Sequence, residues 1–276
     1  MSIAEAEART TVAPPRTKVR RRKGHDGMGT GPLRGLLPLV LLLVIWQVVG
    51  DPSSPYFPPP SKWVTEVRPL LDDGVLATAI GDTALTVVLG LLIATVLGAA
   101  LGALVGANRT LDRAAGPTLE FLRVLPAAAL VPLAALLLGY TLEMKLAVVI
   151  LPATWPVLLT VRSARRAMSP VLLDVPRTLH LSWWARTRKI LVPALTPSVL
   201  LGVRVSGPLA LIIALLVEIV TKINGIGALL GTAQATFKSA QVFGLLVIAG
   251  LLGFAVNWLV TRAESAVNVR LTGGGR

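Results

Sequence analysis

The chain has 276 residues, 54% of them hydrophobic, with a mean hydropathy of +0.72 and only 15% charged. A soluble domain normally carries about 25% charged residues, so this composition argues against a soluble fold and for an integral membrane protein. The net charge of +13 does not call for nucleic acid, because the basic residues flank or join apolar runs, as positive-inside topology requires.

Residues 1–32 are polar, charged or small and include the basic stretch Arg16–Lys23. They are expected to form a disordered cytoplasmic tail. The apolar run after Pro32 is followed by "GDPSSPYFPPPS", a poor match to a cleavage site, so a retained first span is expected near Leu33–Val49. Prolines end that helix, and an acid-leaning loop with mild amphipathic character leads to about Ala77.

A second span is expected over Ala84–Ala107, 24 uncharged residues that make about 36 Å of helix. Gly90, Ala94, Gly98, Gly102 and Gly106 recur every four positions on one face, so Gly98, Gly102 and Gly106 are candidates for close helix packing. "NRTLDRAAGP" reads as a short basic turn carrying Arg109 and Arg113. A third span is expected over Leu122–Tyr140, interrupted by Pro126 and Pro132, and a fourth over Leu146–Val161, containing Pro152 and Pro156. Kinked helices belong where freed carbonyls face protein or a wet path.

From Arg162 to Ser198 the chain holds seven Arg or Lys residues against the single acid Asp174. Each charge at a bilayer centre costs roughly 2.5–3.5 kcal/mol on insertion scales, so this segment does not span. Its mixed apolar and polar pattern predicts two short interfacial or docking helices. A fifth span is expected at Val203–Val220, then a return loop with a short helix at the membrane edge, and a sixth span at Val242–Val260. Six spans place both termini on one side, and the basic segments fall inside with them.

No catalytic constellation stands out. There is no G-x-x-x-x-G-K-[ST] loop, no cysteine, and His25 and His180 are isolated, so no bound nucleotide, disulfide or metal is expected. Glu218, near one end of the fifth apolar run, has two readings. It is an interface residue paired with Lys222 at the i,i+4 spacing, or an acid that shapes gating or packing against the loop after it.

Residues 174–193, "DVPRTLHLSWWARTRKILVP", resemble the coupling motif of inner-membrane permeases from binding-protein-dependent ABC importers. That motif reads E-A-A, three residues, G, nine residues, I-x-L-P. Asp174, Val175 and Pro176 take the leading positions, His180 stands at the glycine, and Ile190 and Pro193 close the motif. The resemblance extends over about residues 78–270. "LDRAAGPTLEFLRVLPAAALVPLAALLLG" and "PALTPSVLLGVRVSGPLALIIALLVEIV" followed by "NGIGALL" are similar to the nitrate, sulfonate and taurine branch. Glu218, Gly225 and Gly227 then take family-like positions.

The resemblance implies an all-α, polytopic, non-catalytic permease with six transmembrane helices and cytoplasmic coupling helices between helices four and five. The permease body would cover 33–270, with the coupling segment at 162–198 and a flexible tail at 271–276. It implies a plasma-membrane subunit embedded in lipid that pairs with a second permease, as a homodimer, and meets an ABC ATPase dimer and an extracytoplasmic solute-binding protein. ATP and Mg²⁺ would sit on the ATPase. Arg177, Arg186, Arg188 and Lys189 would face its acids. A small oxyanion or organosulfur cargo is suggested by the branch; the alternative is a secondary transporter or channel working without an ATPase.

Overall fold

The computed structural model describes residues 32–169, 171, 172, 174 and 178–271. The expected tails, apart from Pro32 and Leu271, lie outside the described residues, as do the motif positions Val175, Pro176 and Arg177. All secondary structure among the described residues is helical. The chain divides into two units, residues 1–45 and Trp46–Arg276.

Helix α1 covers Pro32–Val49 and is apolar from Leu37 onward. The proline-rich loop after it begins on a small turn in which Asp51 accepts from the Ser53 hydroxyl and amide at 2.7 and 2.8 Å. Those donors, the side chain first, hold the Asp51 carboxyl below its ordinary range. Trp46, Trp63 and Phe243 then cluster with ring centroids 5.0–5.2 Å apart. Helix α2, Pro60–Asp72, starts on a proline, which suits a first turn, and buries Trp63 and Val67.

Helix α3 covers Val75–Ala107, α6 Leu142–Arg166, α7 Trp183–Thr221 and α9 Ser239–Leu271. These four are long and apolar enough to cross a membrane. Between α3 and α6 lie α4, Arg109–Val124, and α5, Ala127–Leu138. They meet at a 90° bend and make a fifth span if counted as one. The bend falls at Leu125 and Pro126, where the residue before a proline is pushed out of helical geometry. Pro132, Pro152 and Pro156 stay inside their helices. A short apolar helix, α8, covers Ile226–Ala235.

Two expectations are corrected here. "NRTLDRAAGP" is not a turn: the Asn108 side chain accepts from the amides of Thr110 and Leu111 and caps α4. The second half of the 162–198 segment is not a separate short helix. From Trp183 it runs directly into the fifth span as one helix of 39 residues. A wide turn at Thr187–Leu191, in which the Val192 amide bonds the Thr187 carbonyl, accommodates the ring of Pro193 without ending the helix.

The core sits where α3, α6 and α7 meet, around Val87, Ala94, Met144, Val149, Ala214 and Val217. A Cβ on Gly98 would stand 2.8 Å from the Thr154 carbonyl, one on Gly102 2.6 Å from that of Leu158, and one on Gly106 2.7 Å from that of Arg162. The glycine face of α3 therefore lies directly against the backbone of α6. Gly202 of α7 does the same on another side, with Val157 Cα 2.5 Å from where its Cβ would be.

Candidate functional site

Three groups of polar residues decorate this bundle at three levels. The first is a buried knot at the α7–α8 end. Lys145, in the first turn of α6, donates to Glu218 Oε1 at 2.8 Å and to the Asn224 carbonyl at 2.7 Å. Thr83 of α3 donates to Glu218 Oε2 at 2.8 Å and accepts from the Ile226 amide at 2.9 Å. The Gly227 amide reaches the same Oε2 at 3.1 Å. The Glu218 side chain is 0% exposed and that of Lys145 3%.

The knot forms because several local signals converge. Thr141 caps α6 by accepting from the Met144 amide, which fixes the phase that turns Lys145 inward. Lys222 takes a left-handed conformation with φ 55° and closes α7 through a bond from its amide to the Glu218 carbonyl. Gly225, at φ 134°, lets the chain turn into α8 at a point where a Cβ would overlap the Glu218 carboxylate. The Gly227 amide in the first turn of α8 then faces the acid, at the favourable pole of a helix for an anion. Glu218 is thus not paired with Lys222; its partner is 73 residues away. Beside the knot lie two clefts, one of about 400 Å³ and one of about 190 Å³, both lined in part by Asp82 and Asn224.

The second group lies at the opposite ends of α3 and α6. Asp112, in the first turn of α4, accepts from Arg162 and, at 2.7 Å, from Arg166. These two arginines are one turn apart on α6 and grip a nearly buried carboxylate, with 7% of its side chain exposed. Arg165 beside them has a buried Nε with no hydrogen-bond partner among the described residues.

The motif-like residues lie in the segment that follows. Trp183 and Trp184 are exposed, as are Asp174, His180, Arg188 and Lys189; Arg186, Ile190 and Pro193 are half-buried. His180 has φ 47°, the left-handed conformation that glycine adopts without cost.

The third group is a single charge that sequence reasoning missed. Placing the fifth span at 203–220 left Arg204 at its edge, but α7 extends from Trp183. Gly202 lies on Val157 and the Ser206 hydroxyl donates to the Ala153 carbonyl at 2.7 Å. Arg204 therefore sits level with the middle of α6. Lys145, Thr83 and Asp112 were missed as well. Lys145 and Asp112 lay in stretches read as connections, and their partners are distant in sequence.

The fold and these groups define a polytopic membrane protein whose long helices carry polar contacts at both ends. Residues 87–271 match the model of the family described as binding-protein-dependent transport system inner membrane component, and the chain belongs to that family. Membership implies an ATPase and a solute-binding protein as partners. Among its relatives is the Bacillus subtilis protein named as an aliphatic sulfonates transport permease, SsuC, 28% identical over 85% of this chain and 86% of that one. The bicarbonate transport system permease protein CmpB of Synechococcus elongatus is 29% identical, covering 93% and 97%. The nitrate import permease protein NrtB of a Synechocystis strain is 25% identical, covering 85% and 89%. A chain of the MetNI methionine ABC transporter, solved in inward-facing conformations, shares the fold with a TM-score of 0.60 at 16% identity, covering 70% of this chain and 96% of that one.

Proposed function

We propose that this chain forms, as a homodimer in the plasma membrane, the solute path of an ATP-driven importer for a small oxyanion or sulfonate-type anion. Counting α1 and the bent α4–α5 pair, six spans put both termini in the cytoplasm. Residues 1–32 and 271–276 are tails around a permease body of 33–270. An extracytoplasmic binding protein delivers the cargo. Two ATPase subunits hold ATP and Mg²⁺ and receive the coupling segment 162–198, while the permease itself does no chemistry. Asp174, Val175, Pro176, Arg177, His180, Arg186, Arg188, Lys189, Ile190 and Pro193 form the docking surface. Glu218, Gly225 and Gly227 set the packing of the gate region at the other end.

The observation that carries this reading is the continuity of α7. One helix of 39 residues joins the exposed tryptophans and cations at its start to the buried Glu218 near its end. A rod of that kind passes a displacement at the ATPase end to the α8 end; a flexible loop would absorb it. The anions named for the relatives support the cargo class.

The test is reconstitution of the chain with its ATPase and binding protein in proteoliposomes, supplied with nitrate, bicarbonate or taurine. ATP-dependent uptake of at least one is expected. Uptake driven by an ion gradient without any ATPase would replace this reading with a secondary transporter. Replacing Arg186, Arg188 and Lys189 together by Gln is expected to reduce copurifying ATPase by about tenfold or more while leaving membrane insertion intact. Unchanged assembly would remove those three from the docking surface.

A further inference from the structure

Among the described residues of the unit Trp46–Arg276, none covers the face of α7 on which Arg204 stands. Pro197, Leu201, Arg204, Val205, Pro208 and Ile212 are all exposed and recur at helical spacing. On the opposite side Gly202 and Ser206 are buried against α6. Contacts with Val157 and Ala153 put Arg204 about 15 Å along α6 from Lys145 and about 10 Å from Arg162. Those two residues belong to the polar layers at the bundle's ends, so the Arg204 guanidinium emerges between them, at membrane depth. Among the described residues it has no ion pair and no side-chain hydrogen bond.

A charge at that depth needs water or an opposite charge. The backbone beneath Arg204 has the same need. Pro208, four residues on, has no amide to give the Arg204 carbonyl, so this oxygen is left without its helical donor. Freed carbonyls within a membrane are tolerated where the helix lines a wet cavity or meets protein. Two polar groups on one uncovered face, one of them cationic, make that face unsuited to lipid tails. Arg204 presents five donors in a fixed planar fork, the geometry that matches carboxylate, carbonate, nitrate and sulfonate oxygens.

We propose that Arg204 is a mid-membrane contact for the anionic cargo, on a face of α7 that lines the solute path. This rests on the importer reading and adds to it a residue and a recognition chemistry. Arg204 is a way-station that replaces part of the water shell the anion loses in the path. Selectivity by charge sign then resides in the permease as well as in the binding protein.

The chain has no cysteine, so a single introduced thiol reports one position. In the assembled complex, Arg204→Cys is expected to react with the membrane-impermeant anionic reagent 2-sulfonatoethyl methanethiosulfonate. Leu97→Cys, on the exposed side of α3, is expected to remain unmodified. No reaction at position 204 would turn this face to lipid or to protein contact and overturn the proposal.

In proteoliposomes loaded with ATP, Arg204→Gln is expected to lower uptake of the transported probe, nitrate, bicarbonate or taurine, by tenfold or more. Arg204→Lys should retain a substantial share, and binding-protein-stimulated ATP hydrolysis should persist in both. Unchanged uptake by Arg204→Gln would overturn the anion contact even if the thiol is reactive. Equal loss of uptake and of ATPase stimulation in Gln and Lys variants would make Arg204 a structural residue and overturn it too. A wild-type complex with no ATP-driven uptake of any probe would instead break the importer reading, and thiol reactivity would still decide whether the face is wet.

Discussion

The two ends of the α3–α6–α7 bundle hold charge in opposite ways. At the α8 end one acid and one base are removed from water, and the described hydrogen bonds satisfy both Glu218 oxygens and tie the Lys145 ammonium to two acceptors. At the other end one acid serves two arginines, Arg166 is 53% exposed, and Arg165 keeps an Nε unpartnered among the described residues. The first arrangement has one geometry, because any shift leaves an ion stranded in a low-dielectric core. In the second, the half-exposed Arg166 can exchange the carboxylate for water at little cost. The α8 end is thus a fixed joint, and the end next to the coupling segment is an adjustable one.

The sharpest way to break that contrast is to strand one ion of the knot. Lys145→Met leaves Glu218 buried without its cation, and a loss of about 3–5 kcal/mol is expected, read as a lower unfolding midpoint in detergent. The double variant Lys145→Met with Glu218→Leu should recover most of the loss, because it removes both charges together. No recovery would mean that Thr83 and Gly227 depend on the carboxylate itself and not on the pair.

Next in size is the helix contact that links the two ends. Gly102→Ala puts a methyl 2.6 Å from the Leu158 carbonyl, a backbone atom that cannot move aside alone, so a cost of about 1–3 kcal/mol is expected. Gly250 of α9 has nothing within 4 Å of its Cβ position, and Gly250→Ala should be neutral or stabilising. Equal effects at the two sites would show that helix propensity, not close approach, governs the response.

The adjustable end should respond less. Asp112→Ala removes the acceptor of two arginines, yet both retain some access to water, so about 1–2 kcal/mol is expected. A loss as large as that of Lys145→Met would make this end a second fixed joint.

How much of this was legible in the sequence follows the range of the forces involved. The 24 uncharged residues of α3 and their glycine spacing report local hydropathy and one helix face, so span and packing face were both readable. The start of α7 was not, because a helix need not be apolar outside the bilayer, and an apolar run marks only the immersed part. The cap at Asn108 was a readable signal that the charge of the turn obscured. Glu218 was visible as unusual, but i,i+4 arithmetic could offer only Lys222. Lys145 becomes its partner only when α6 and α7 are laid side by side.

The smallest effect tests the coupling segment itself. His180 stands where the motif has glycine, and its φ of 47° is the conformation that a side chain makes costly by about 1–2 kcal/mol. Glycine relieves that strain but gives the unfolded chain about 0.5–1 kcal/mol of extra freedom, so His180→Gly should stabilise by up to about 1 kcal/mol. His180→Ala keeps a Cβ in the same backbone and should be close to neutral. The pair separates the two explanations of the substitution. If Gly stabilises and Ala does not, the chain has kept the turn and carries a strained residue in it. If Gly destabilises, the imidazole makes contacts that hold the segment, and the adjustable end has a fixed point of its own.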